Sequence, residues 1–371
     1  MNKLLACVLV LLLASGGAFA GEPTPESALR EELKVSINHG LTYLKEQQKE
    51  GTWMKHPGIT ALALIAFLDS EKQYRPADGP FIRLPVDYLL SQQDGEGAFY
   101  DAASANPTKN YVTSLVLRAL TLAGPKEYAA QIAKARAYLA RLMCDEGEGY
   151  TPDKDYFYGG IGYGGDLRPD LSNTQLALEA LFLSGGVEES VAKKAQIFLR
   201  RCQDYEGNDQ SWAKRCSGGF AYSPDLPSRK AKPDPKEASE EIVPYGSMTF
   251  AGLKSLVFCG VTSEDPRYTE AWDWVRKNYA VDHHPRMGQQ ALYYYFDTMA
   301  RTLSLLKADR IELPSGQKAD WRMELGKELL RLQHKDGSWV NEEGKYMEGL
   351  PVLATAYALS ALNHINRALL K

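Results

Sequence analysis

Two carboxylates stand where a helix-borne acid could work. Asp170 opens the stretch Asp170-Leu171-Ser172-Asn173-Thr174, and Asp297 directly precedes Thr298. Proton transfer to carbon or to a glycosidic oxygen needs a carboxylic acid held in a cleft, so these two residues are the candidates for catalysis. The other chemistries thin out quickly. No Asp-Asp pair occurs anywhere in the chain, so the clustered carboxylates that hold magnesium on a diphosphate are missing. The His residues 39, 56, 283, 284, 334 and 364 show no metal-ligand spacing with cysteine, and no metal or other cofactor is expected. Gly160-Ile161-Gly162-Tyr163-Gly164-Gly165 satisfies the dinucleotide pattern on paper, but it falls between two helices rather than in a strand–turn–helix unit.

The acids belong to a repeated element. Segments opening at Thr60, Thr113, Thr174, Thr249, Thr298 and Thr355 align without gaps and are apolar or small nearly all round, with single charges such as Arg118 and Glu179. Such segments suit helices packed on most sides. Each is preceded by an amphipathic stretch, as at Leu29, Leu33, Ile37, Leu41 and Leu44, whose spacing makes one apolar stripe on a charged helix. One outer/inner pair cannot cover its own apolar surface, and closing six of them does so without exposed ends. The expected fold is all-α, an (α/α)6 toroid.

A second recurrence ends the outer helices: Gln47-x3-Gly51-Thr-Trp53, Gln93-x3-Gly97-Ala-Phe99 and Gln333-x3-Gly337-Ser-Trp339, with Gln203-x3-Gly207 keeping half of it. The glycine allows a left-handed exit from the helix, and the aromatic folds back over the helix end. Together, the Gln-x3-Gly-Ser-Trp turns and the Thr-x2-Ala-Leu-x-Ala-Leu helices resemble the prenyltransferase and squalene-cyclase repeat family across nearly all of residues 28 to 366. The resemblance implies an α/α toroid and an isoprenoid-related activity. It also implies an Asp-x-Asp-Asp-Thr acid motif, and against that pattern Ser172 occupies the acid's position. A hydroxyl cannot protonate an alkene. The Asp-x-Cys zinc pair of the protein prenyltransferases and the Gly-Cys-Gly-Glu-Gln thioester of complement-like toroids are not matched either.

Once the ring closes, the residues before each threonine line one mouth. The expected ligand-binding set is His56, Tyr111, Tyr163, Ser172, Asn173, Trp212, Tyr245, Tyr293, Tyr294 and Tyr295, with Asp170 and Asp297 among them. An aromatic mouth with a few polar groups has the composition of a small-ligand pocket. The favoured function is a binding or scaffold protein for an apolar or mixed small ligand. The alternatives are an isoprenoid cyclase or transferase using Asp170 or Asp297, and a carbohydrate-active enzyme by analogy with other (α/α)6 barrels.

Of 371 residues, 44% are apolar and 24% charged, and the net charge is −4 without a basic stripe, so nucleic acid is not an expected partner. Residues 1–20 have signal-peptide grammar: Lys3, an apolar run from Leu4 to Leu13, and Ala18-Phe19-Ala20 before the cut. The run is too short to span a membrane. The mature toroid of residues 21–371 is therefore expected to be secreted or periplasmic, with Cys144, Cys202, Cys216 and Cys259 paired or free. The excursion from Ser223 to Val243 is expected to be a surface loop, with a lid over the mouth as the alternative.

Overall fold

A computed structural model describes residues 24–105, 107–164, 168–213, 215–225 and 243–370. The expected signal peptide and most of the expected loop at 223–243 lie outside the described residues. The chain alternates outer and inner helices. The outer ones are α1 (Pro25–Gln47), α3 (Pro80–Leu90), α5 (Ala129–Arg141), α7 (Glu189–Cys202), α9 (Pro266–Asn278) and α11 (Trp321–Leu332). The inner ones are α2 (Pro57–Leu68), α4 (Lys109–Ala123), α6 (Leu171–Leu183), α8 (Gly246–Phe258), α10 (Leu292–Leu305) and α12 (Pro351–Ala368). A two-residue hairpin, β1 (Ile311–Glu312) with β2 (Lys318–Ala319), decorates the link from α10 to α11.

Each inner helix packs on the next, α2 on α4, α4 on α6, α6 on α8, α8 on α10 and α10 on α12, and α12 returns to α2. The ring is closed, as the repeat count requires. Every residue of α2 is buried, whereas α1 buries only the stripe through Leu29, Leu33, Ile37, Leu41 and Leu44. Four outer helices lean chiefly on the inner helix that precedes them in the ring, α3 on α2, α5 on α4, α9 on α8 and α1 on α12, whereas α7 and α11 lean on the one that follows, α8 and α12.

The repeated threonine has a specific task. Its hydroxyl accepts the backbone N–H of the residue closing the preceding turn: Thr60 from Trp53 at 3.1 Å, Thr113 from Phe99 at 2.8 Å, Thr174 from Ile161 at 2.9 Å, Thr249 from Phe220 at 3.1 Å and Thr355 from Trp339 at 2.9 Å. All five groups are buried, so the bond satisfies a donor that water cannot reach. Trp53 and Trp339 fold back as expected, donating their indole N–H to Leu44 and Leu329 carbonyls of their own outer helix. Thr298 departs from the pattern. It is not at the head of its helix, because α10 begins at Leu292, and its hydroxyl donates to the Tyr294 carbonyl.

The turns also carry the links between neighbours. Gln93 Nε2 donates to Gly97 of its own turn and to Gln131 of α5, and Gln333 does the same with Gly337 and Ser36 of α1. The last hairpin is thereby tied to the first. Gly97 and Gly337 hold positive φ, and a Cβ there would meet a backbone oxygen of the next outer helix at 2.4 and 2.6 Å. Two expected members of this motif are replaced. In the first repeat Gln48, not Gln47, makes the bond, to Phe81. In the fourth, Gln203 pairs with Gly218 and Arg267 rather than closing on Gly207, and fourteen residues separate it from Gly218 in the sequence where Gln93 and Gln333 have three before their glycines.

Thr113→Val should leave the Phe99 N–H buried and unpaired, lowering unfolding free energy by about 1–3 kcal/mol, with Thr113→Ser recovering most of it. Urea denaturation followed by circular dichroism reads the difference. Equal stability of the Val and Ser variants would show that the hydroxyl is dispensable.

Candidate functional site

The turns gather at one end of the ring, and the side chains inside that end form two layers. The upper layer is tyrosine. Tyr111 bonds Tyr357 through their hydroxyls, and the Tyr294 and Tyr357 rings meet edge-on with centroids 5.8 Å apart. Tyr222 bonds both Asp170 and Tyr163. Tyr245 and Tyr346 approach the same group closely enough to interact electrostatically with Tyr163. Burial pushes the hydroxyls of Tyr111, Tyr222, Tyr245, Tyr294 and Tyr357 above the ordinary tyrosine range, so each stays neutral and can both donate and accept. Tyr111, Tyr163, Ser172, Tyr222 and Tyr294 remain partly accessible to solvent.

Beneath the tyrosines lies a layer of charge. Glu179 of α6 accepts from Lys254 of α8 at 2.8 Å and is ion-paired to Arg301 of α10, whose other arm reaches Asp297 Oδ2 at 3.3 Å. All four are buried. Burial opposes ionisation of Glu179, yet the charges of Arg301, Lys254 and Arg118 outweigh it and hold its pKa at about 2. Lys254 has one carboxylate and a neighbouring guanidinium, and burial brings its pKa down to about 8. Arg118 continues the chain of charges to Asp69 at 3.7 Å, beside Arg367.

Between the layers is a cavity of about 10 Å³, bounded by Tyr111, Tyr294, Tyr357, Asp297, Lys254, Arg301 and Gln175 and by Leu62, Leu115, Leu176 and Thr298. That is room for one water molecule. Among the described residues, side chains leave no more room than this between the two layers.

The expected acids are both engaged. Asp170 caps α6, accepting from the Asn173 N–H at 2.8 Å and from its Nδ2 at 2.9 Å, besides Tyr222. Asp297 sits one turn into α10 and faces the cavity. Ser172 Oγ lies 3.2 Å from the Tyr294 hydroxyl, and Asn173 joins α6 to Asn110 of α4.

Of the three consecutive tyrosines only Tyr294 lines this cavity, because successive residues of a helix point about 100° apart. Tyr293 is buried toward the Val340 carbonyl, and Tyr295 stacks on His284 at 4.8 Å and donates to Ala280. His284 is a neutral packing residue. Its Nε2 accepts from the Ser247 N–H, its Nδ1 bonds the Gln290 carbonyl, and burial pushes its pKa down to about 3. His56 caps α2 through Nδ1, away from the cavity. Trp212 stands in the loop between Gln203 and Gly218 that Asp204 pins, outside the cavity lining.

Several site residues are not marked out by the repeated motifs. Gln175, Lys254, Arg301 and Tyr357 line the cavity, and Glu348 positions Tyr294 by accepting from its N–H at 2.8 Å and from Tyr293 at 3.2 Å. Their clue was a polar residue on an otherwise apolar inner helix, the same clue that marked Arg118 and Glu179. Among the described residues no His/Cys/Asp/Glu group could hold a metal ion, and the four cysteines stand as free thiols, with Cys216 exposed. No described helix is long and apolar enough to cross a membrane.

Comparison with known proteins matches no family model. It matches no curated protein either. Solved structures do match in fold. The type II terpene cyclase MstE from Scytonema, in complex with its substrate geranylgeranyl dihydroxybenzoate, superposes with a TM-score of 0.53 at 14% identity, covering 92% of this chain and 99% of that one. An apo form of the same cyclase gives 0.54 at 15% identity, with 92% and 99% covered. A complex with the product merosterolic acid A gives 0.52 at 15% identity, with the same coverage. The chain thus has a terpenoid-cyclase-like helical fold.

Glu179→Gln tests the charge layer. A folded-state pKa of about 2 lies below the ordinary 4.5, so the contribution of this carboxylate is complete above about pH 4.5 and is lost as pH falls toward 2. The variant should be about 3–5 kcal/mol less stable at pH 7, with the gap narrowing through that window in urea titrations. A gap independent of pH would contradict the assignment.

Proposed function

We propose that this chain is an exported ring protein that binds a small apolar or mixed ligand at its tyrosine-lined mouth and does not cyclise it. The observation against cyclisation is the small volume left between the layers, and the observation for a ligand is the set of partly accessible tyrosines Tyr111, Tyr163, Tyr222 and Tyr294 at the mouth. Pockets for drug-sized ligands occupy about 300–1,000 Å³, against about 10 Å³ here. A long isoprenoid cannot be folded into that space. Ser172 supports the same conclusion, since the position that the repeat-family resemblance assigns to the acid carries a hydroxyl bonded to Tyr294. The mouth suits a ligand with apolar faces and a few polar atoms, because its tyrosines offer rings together with neutral donors and acceptors. Isoprenoids fit that description, and MstE with its bound substrate and product supports an apolar ligand by likeness of fold.

One observation favours the enzymatic alternative: Asp297 lines the cavity, and its Oδ1 has no hydrogen-bond partner. Its other oxygen is ion-paired to Arg301. The carbohydrate reading needs two carboxyl groups about 5–10 Å apart that can work as acid and base. Asp170 is a helix cap and Asp297 an ion-pair partner.

Two measurements separate these readings. Organic extracts of protein purified from its native source should yield a bound small molecule by mass spectrometry, and repeated recovery of none would defeat the binding function. Incubation with squalene or geranylgeranyl diphosphate should return the substrate unchanged. Product formation that disappears in Asp297→Asn would replace the proposal with the cyclase alternative.

A further inference from the structure

The cavity below the tyrosines has an unbalanced inventory of polar atoms. Lys254 and Arg301 direct donors at Glu179, and Arg301 also reaches Asp297 Oδ2. Gln175 Nε2 is 3.3 Å from the Tyr294 hydroxyl. Two of the lining residues, Asp297 and Gln175, 3% and 1% exposed, each carry an oxygen without a partner, Oδ1 and Oε1. Both are acceptors. The unpaired donors of the wider charge chain, Arg118 Nη1 and the ring N–H of His364, are not part of this lining.

An unpartnered buried acceptor costs the desolvation of that atom, so the site favours an occupant that donates hydrogen bonds. Its volume limits that occupant to a water molecule or one polar head atom of a larger molecule. Charge narrows the choice further. Glu179 and Asp297 balance Lys254 and Arg301, so the layer has no net charge with which to hold an ionic head.

We infer that the ligand of this protein is an alcohol: its hydroxyl replaces the water in this cavity and donates to Asp297 Oδ1 or Gln175 Oε1, while its apolar body lies among the tyrosines of the mouth. Tyr111 and Tyr294 belong to both places, since they line the cavity and remain partly accessible from the mouth. A carboxylate or phosphate head at neutral pH has no proton to donate to these two acceptors, whereas a hydroxyl can donate to one of them and accept from the remaining N–H groups of Lys254. This assignment rests on the binding reading above and adds to it the chemistry of the head group.

The test is calorimetric titration with a series sharing one chain: farnesol, farnesene, farnesoic acid and farnesyl phosphate. Farnesol should bind about tenfold or more tightly than the other three, the factor expected for one buried hydrogen bond. Gln175→Met, which leaves the four charges in place, should weaken farnesol several-fold and leave farnesene unchanged. Comparable affinities across the series, tighter binding of either anion, or a Gln175→Met variant that weakens farnesene as much as farnesol would overturn the assignment while mouth binding stands. Absence of binding by all four compounds would overturn the binding reading together with it.

Discussion

Four charged side chains meeting inside an apolar ring impose the constraint from which the rest of this molecule follows. Transferring Glu179, Lys254, Arg301 and Asp297 out of water costs several kcal/mol per ion, and their mutual attraction offsets that only if the geometry is held closely. They stand on three different helices, α6, α8 and α10, with Arg118 on α4 beside them. Any drift of one inner helix against another would leave a charge buried alone. The ring must be stiff, and its centre must stay full.

The frame supplies that stiffness from outside. Five threonine hydroxyls fasten the head of an inner helix to the turn before it. The glutamines of the turns fasten that assembly to the next outer helix, and Gln333 does so across the join between the last hairpin and the first. At the same join Asn363 of α12 donates to the Ala66 carbonyl and Arg367 pairs with Asp69. The fifth repeat lacks the threonine lock. There Glu348 takes over, receiving the first N–H groups of α10, where a carboxylate also complements the helix dipole, and so orienting Tyr294 over the cavity.

The ring was legible in the sequence because a repeated helix pair leaves a repeated pattern, and the gapless threonine segments show it without any knowledge of loops. The turn motif was legible where its length was constant, at Gln93 and Gln333. It failed at Gln203 because a longer loop carries the glycine far along the chain, to Gly218, and fixed spacing cannot register contacts across a loop of different length. The site was legible only in part. Arg118, Glu179, Lys254 and Arg301 are alike in the sequence as charges on apolar inner segments, and no spacing rule brings residues of four separate helices together. Tyr293, Tyr294 and Tyr295 looked equivalent, and only the rotation of α10 distinguishes the one at the cavity from two in the wall. The partnerless oxygens of Asp297 and Gln175 have no sequence signature at all, because being unpaired is a property of the surroundings.

That the centre of the ring is occupied by ion-paired side chains rather than open to a substrate is the claim on which the functional account stands. An electron-density map of the detergent-free protein at about 1.5 Å tests it most directly. The account predicts Glu179 in contact with both Lys254 and Arg301, with density for a single water or one ligand head atom between Asp297 and Gln175. An open chamber of several hundred Å³, with those four side chains turned aside or a folded isoprenoid enclosed among them, would contradict it.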